Sequence, residues 1–173
     1  DISDLSMTAN RTSIWALVVG VSTTLGDATQ YGLFTSNGLS ASNNRFSQRL
    51  AQDTQGFSGS FRRADGDTNV TTSLQGNTAV PVVGIISCDF PNNVASSSCN
   101  GATSATTGFN PSSGGASGPT TNALVNRVGA GPYSILGRLN GKLGQVLFVP
   151  VLPSASLAKR LRQCAAYSFK IAS

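Results

Sequence analysis

The chain has 173 residues, with 12 Lys and Arg against seven acids, a formal net charge of +5 and a charged fraction of 11%, against about 25% in an ordinary soluble domain. There is no His, and all seven acids are Asp. These absences exclude Ser-His-Asp and Cys-His nucleophilic apparatus and His-containing zinc sites, and leave Asp alone for any paired-carboxylate chemistry.

The first segment, Leu5 to Asn10, alternates apolar and polar residues and predicts a half-buried strand with Leu5, Met7 and Ala9 on its apolar side. Such a strand pairs at home or completes the sheet of a neighbouring copy, so residues 1–10 are a candidate exchanged strand. Thr12 to Val21 holds the longest apolar run, Ile14 to Val19, and predicts a strand buried on both faces, with Trp15 in the core. Gln30 to Phe34 reads as a short strand ending at the turn Ser36-Asn37-Gly38. Ser42 to Gln52 predicts a helix, with Ser42 or Asn43 as cap, Phe46 and Leu50 inward, and Arg45 and Arg49 on the other side. Phe57 to Arg63 alternates as a strand, and Ala64 to Asp67 is a turn. Asn69 to Leu74 and Ala79 to Cys88 are further strands, the second the more apolar.

Residues 91–122 are rich in Ser, Gly, Asn, Thr and Ala, and no charge occurs between Asp89 and Arg127. The tract predicts a long loop, or an arm laid across a neighbour. Asn140-Gly141 between Tyr133 to Leu139 and Leu143 to Leu152 predicts a hairpin. Ser154 to Cys164 predicts a short basic helix capped by Ser154, with Leu157 and Leu161 four apart and Lys159, Arg160 and Arg162 outside. The end alternates again, with Tyr167, Phe169 and Ile171 inward and Ser168, Lys170 and Ala172 outward. About seven to nine short strands, one or two small helices and no βαβ alternation predict an all-β, β-sandwich or jelly-roll-like single domain over residues 1–173.

The motifs carry little chemistry. Cys88 and Cys99 flank ten residues and form a candidate disulfide, with Cys164 left over. Asn10 and Asn69 head two candidate N-glycosylation sequons. Asp65 to Asn69 spaces oxygen ligands as calcium loops do, but lacks the closing Glu and reads as a β-turn. Gly129 to Pro132 and Gly137 to Leu143 mimic dinucleotide and phosphate loops, and each misses a required residue. No catalytic residue, cofactor or metal is expected, and no apolar run is long enough to span a membrane as a helix.

Charge is unevenly placed. Residues 1–89 hold five Arg and all seven Asp, whereas residues 90–173 hold four Arg, three Lys and no acid. The chain begins at Asp1 and not Met, as expected of a mature protein whose leader has been removed or of a trimmed chain. The first functional reading is a non-enzymatic structural subunit of an extracellular or cell-surface filament or pilus. It would polymerise head to tail with copies of itself through Leu5, Met7 and Ala9. The alternative is a virion coat or decoration protein whose Arg62, Arg63, Lys159, Arg160 and Arg162 contact nucleic acid. A third is a secreted carbohydrate- or surface-binding module, for which one Trp and three Tyr supply few sugar platforms.

Overall fold

In the computed structural model, which describes residues 11–22, 31–36, 46–50, 57–63, 70–74, 80–107, 127–128 and 141–171, the long apolar run becomes strand β1 (Ser13–Ser22). Successive side chains of a strand point to opposite faces, so an unbroken apolar run must be covered twice. Ile14, Ala16 and Val18 enter one core with Val82, Ile86, Cys88 and Phe90, while Trp15, Leu17 and Val19 enter a second with Val83, Ala165 and Ala166. Each fully buried large apolar side chain contributes roughly 1.5–3 kcal/mol, so neither face can be left open.

The other strands are β2 (Tyr31–Ser36), β3 (Phe46–Leu50), β4 (Phe57–Phe61), β5 (Val70–Leu74), β6 (Val82–Asp89), β7 (Val94–Cys99), β8 (Ala102–Thr107), β9 (Arg127–Val128) and β10 (Gly141–Val149), followed by helix α1 (Ala155–Ser168). They form two antiparallel five-stranded sheets, ordered β10-β1-β6-β7-β8 and β5-β4-β3-β2-β9. The first core lies between the sheets. The second lies between the outer face of the β1 sheet and α1, so the molecule has three layers.

Glycines let the layers close. Phe57 and Phe61 of β4 fill the inter-sheet core, and a Cβ on Gly84 of β6 would collide with the Phe57 ring. On β10 the register against β1 shifts between Val19 and Gly20, leaving Gly144 as the extra residue of a bulge. The ring of Phe169, just beyond α1, covers that bare backbone.

The β7–β8 hairpin turns on Asn100-Gly101, whose φ values of 48° and 94° are both in the left-handed region, as a two-residue hairpin loop requires. The Asn100 side chain ties the turn to β6: Oδ1 accepts from the Val83 amide at 2.8 Å, and Nδ2 donates to Pro81 O at 3.3 Å.

Three expectations are corrected. Residues 46–50 pair with β2 and β4 as a strand and are not part of a helix. The tract 91–122 is not wholly loop, because β7 and β8 lie inside it, and cross-strand Ser87 and Ser96 hydroxyls meet at 2.6 Å. Tyr167 does not point inward from a terminal strand, because α1 runs to Ser168. Leu5, Met7, Ala9, Asn10, Asn69 and the segment Tyr133 to Leu139 lie outside the described residues. Among the described residues no helix is long and apolar enough to cross a membrane.

Two substitutions should move stability in opposite directions. The Thr72 hydroxyl is buried with no hydrogen-bond partner, so Thr72→Val should raise the urea unfolding free energy by about 1 kcal/mol. Gly84→Ala forces a methyl into the Phe57 ring and should lower it by about 1–3 kcal/mol.

Candidate functional site

Helix α1 carries a strongly exposed aromatic residue, Tyr167, and its sequence explains why. Ser154 caps the start, its Oγ accepting from the Leu157 amide at 3.3 Å. Small Ala165 and Ala166 let the helix settle close on the outer face of the β1 sheet, beside Leu161 and Ala158. The Lys170 amide donates to Tyr167 O at 3.2 Å, and the Ile171 amide donates to Ala166 O at 2.9 Å. This is the paired hydrogen-bond pattern that ends a helix on a left-handed residue. Here that residue is Lys170, with φ 54°, where glycine is the favoured occupant.

With one face held down, the opposite ridge faces water. Ser156, Arg160, Gln163 and Tyr167 succeed one another at helical spacing, and all four are exposed. Tyr167 is 88% exposed. Lys159 beside this ridge and Lys170 beyond its end are exposed as well. Lys142 of β10 pairs with Val21, on the helix-facing side of its sheet and two residues from the Gly144 bulge under Phe169. An aromatic face among guanidinium, amide and hydroxyl groups can stack on an apolar ring surface while the polar groups donate and accept around it.

A cleft of about 170 Å³ lies between α1 and β10, lined by Leu17, Gln145, Leu147, Leu161, Cys164 and Ser168. It is smaller than the roughly 300–1,000 Å³ of sites that enclose a small molecule.

The residues expected to meet a polyanion do not share one surface. Lys159 and Arg160 are exposed on α1. Arg162 is half-buried, its Nε enclosed without a hydrogen-bond partner and its guanidinium turned toward the Asn100-Gly101 turn. Arg62 and Arg63 are only 4% and 5% exposed, which corrects their placement on a ligand-facing surface. Arg63 Nη2 instead donates to Phe90 O at 2.8 Å, tying the end of β4 to the β6–β7 turn. In that turn the Asp89 carboxylate accepts from the Asn92 amide at 3.2 Å and side chain at 2.8 Å. Among the described residues no three His, Cys, Asp or Glu side chains gather as a metal site would require.

The expected Cys88–Cys99 disulfide is also corrected, since all three cysteines are free. The β6–β7 register sets Cys88 opposite Ala95 and Cys99 opposite Gly84. Four residues of strand, about 13 Å, therefore separate the two, well beyond the ~7 Å that a disulfide spans.

No family model matches the chain, and no curated protein matches it in sequence. Solved structures match in fold. A heptameric SAP-like pentraxin from Limulus polyphemus superposes with a TM-score of 0.61 at 9% identity, over 89% of this chain and 71% of that one. The sialidase CBM40 of Ruminococcus gnavus, solved bound to α2,3-sialyllactose, gives 0.60 at 15% identity, over 92% and 91%. Mouse laminin α1 domains LG4-5 give 0.56 at 10% identity, over 84% of this chain and 38% of that one. These likenesses establish a concanavalin-like jelly-roll sandwich, mostly β with one helix. They correct the functional expectation. The chain shares the sandwich architecture of these proteins, and the filament or pilus subunit, with the virion coat as its alternative, is set aside.

Burial pushes the Cys88 thiol well above its ordinary value and the Cys99 thiol up to about 11. A thiol-reactive dye at neutral pH should therefore label exposed Cys164 first, Cys99 slowly, and Cys88 only on unfolding. The sign for stability follows. The unfolded chain loses the Cys99 proton first, so the stability this thiol contributes is full below pH ~9 and falls as pH rises toward 11. An 88–99 crosslink in the non-reduced peptide map would contradict the register.

Proposed function

We propose that this protein is a non-enzymatic, extracellular carbohydrate-binding module. The observation that carries the reading is Tyr167, almost fully exposed on a ridge of hydrogen-bonding side chains, on a sandwich of lectin-like type. A large aromatic residue left in water costs the folded state the burial it forgoes, and sugar rings present apolar C–H faces that such a surface covers. Arg160 and Gln163 supply donors and an acceptor for the hydroxyls at the rim of such a ring. The absence of His and Glu from the sequence fits a protein that binds without reacting. The CBM40 bound to sialyllactose shows that a sandwich of this kind holds a sugar in at least one protein, and the ligand class is carried here on that likeness.

The test is binding to a panel of immobilised glycans, followed by titration of any ligand found. Tyr167→Ala should weaken binding about five- to tenfold while leaving the unfolding midpoint unchanged, because the side chain touches no core. A variant that binds as wild type overturns the site, and silence across the panel overturns the reading.

Self-association belongs to the same proposal. Among the described residues β10 is one of the two edge strands of its sheet, and Val151 and Leu157 lie exposed just after it. A second copy docked there would bury them and multiply weak single-site affinities. Size-exclusion light scattering should show an oligomer that Leu157→Lys dissociates. A monomer at all concentrations contradicts this part.

A further inference from the structure

We propose that the ridge of α1 selects an anionic polysaccharide, with Lys159, Arg160, Lys170 and Lys142 meeting its carboxylate or sulfate groups while Tyr167 stacks on a sugar ring. The inference rests on the carbohydrate reading above and narrows its ligand.

The first argument is charge on this face that no described carboxylate compensates. No acid follows Asp89 in the chain, so β7, β8, β10 and α1 contain seven bases between them and the connecting segments, and no carboxylate. Among the described residues Asp89 is the only carboxylate, and it already accepts two hydrogen bonds from Asn92. It also stands near the start of the helix, away from Lys142 and Lys170. Asp89 pairs with Ser13, whose Oγ accepts from the Leu152 amide just ahead of α1. The other end of the helix is marked by Phe169 on Gly144. A helix of 14 residues is about 21 Å long, more than two Debye lengths at physiological ionic strength. Lys142 and Lys170 therefore stand beyond the reach of that carboxylate.

The second argument is Lys170 itself. It occupies the left-handed position that ends the helix, where glycine would relieve the backbone. The strain is local, and its product is an ammonium group three residues beyond Tyr167, at the end of the ridge. Retaining a side chain at such a position fits a role for that side chain.

The geometry also suits a chain of sugars over a single small anion. Arg160 and Tyr167 are seven residues apart, about 10 Å along the helix, and Gln163 lies between them. Cations spread along an open ridge match repeated charges on an extended polymer. Among the described residues Tyr167 is the one aromatic residue on the ridge, with Phe169 seated on Gly144 beyond it, which makes a poor track for successive stacked bases and favours a glycan over a single-stranded nucleic acid.

The experiment uses the full chain and matched polymers: dextran and dextran sulfate, methyl-esterified pectin and polygalacturonate, and polyuridylate. Affinity electrophoresis or titration should show binding to dextran sulfate or polygalacturonate in clear preference to the neutral parent, and the two arms separate sulfate from carboxylate. The preference should shrink as NaCl rises from about 50 to 500 mM, as screened exposed charges require. The double variant Lys159→Gln with Arg160→Gln should weaken anionic binding about fivefold. Lys170→Gly should weaken it too without loss of fold, since glycine is the residue the backbone there prefers.

Equal binding to charged and neutral polymers overturns this inference and leaves the carbohydrate reading standing. Silence toward every glycan overturns both. Polyuridylate bound as tightly as the best anionic glycan overturns the inference in favour of general polyanion contact. Anionic binding untouched by the Lys159, Arg160 and Lys170 variants overturns the site.

Discussion

Strand β1 must be covered on both faces, and the rest of the architecture answers to that requirement. Ile14, Ala16 and Val18 need the opposing sheet, which supplies Phe57 and Phe61, while Trp15, Leu17 and Val19 need something on the other side. A bare sandwich would expose that second row to water, at roughly 1.5–3 kcal/mol for each large side chain. Helix α1 is the cover. Its alanines keep it close to the sheet, and its hydroxyl cap and left-handed exit set where it starts and stops. The helix therefore exists for the sake of the core, and its outward ridge is a by-product of covering β1.

That ridge is held in place from below by the Gly144 bulge. The bulge restores the in–out alternation of β10, so that Leu143 and Val146 both reach the inter-sheet core although an extra residue separates them. It also opens a patch of bare backbone under the Phe169 ring. Phe169 and Ile171 pin the chain just after the helix, and between them Lys170 turns out to solvent. One glycine thus couples the packing of β10 to the position of Tyr167 and Lys170 at the end of α1.

The sheet core was legible in the sequence, and the candidate site was not, for reasons that differ residue by residue. Ile14 to Val19 could only be a strand buried twice, and Ser154 stood where a helix cap should stand. Phe46 and Leu50 are four apart, a spacing that one helical face and one strand face both satisfy, and the cross-strand partners that decided it lie elsewhere in the chain. In β7 and β8 small hydroxyl residues replaced the apolar pattern. The signal that remained was Asn100-Gly101, the same dipeptide that marked the expected hairpin at Asn140-Gly141. Tyr167 was hidden by its neighbours, because Tyr-Ser-Phe-Lys-Ile alternates as a strand does, and no glycine announces the end of the helix. Arg62 and Arg63 looked like surface charge because nothing local reveals that Arg63 reaches the carbonyl of Phe90, 27 residues ahead.

Charge is scarce in this chain, and its placement separates two uses of the same residue type. A buried guanidinium such as that of Arg63 is held by the fold, and removing it would strand a carbonyl and open the turn that seats Phe90. The exposed cations of α1 are not part of the core, because Arg160 lies across the helix from the residues that touch the sheet and Lys159 lies exposed on its flank. Among the described residues no carboxylate stands near the far end of the helix, so their field there is screened by salt but not cancelled by a described acid. Packing against the sheet and the proposed recognition therefore fall on opposite faces of one 14-residue helix. The inner face is constrained by the shape of the sheet beneath it, whereas the outer face can exchange side chains that the core never feels.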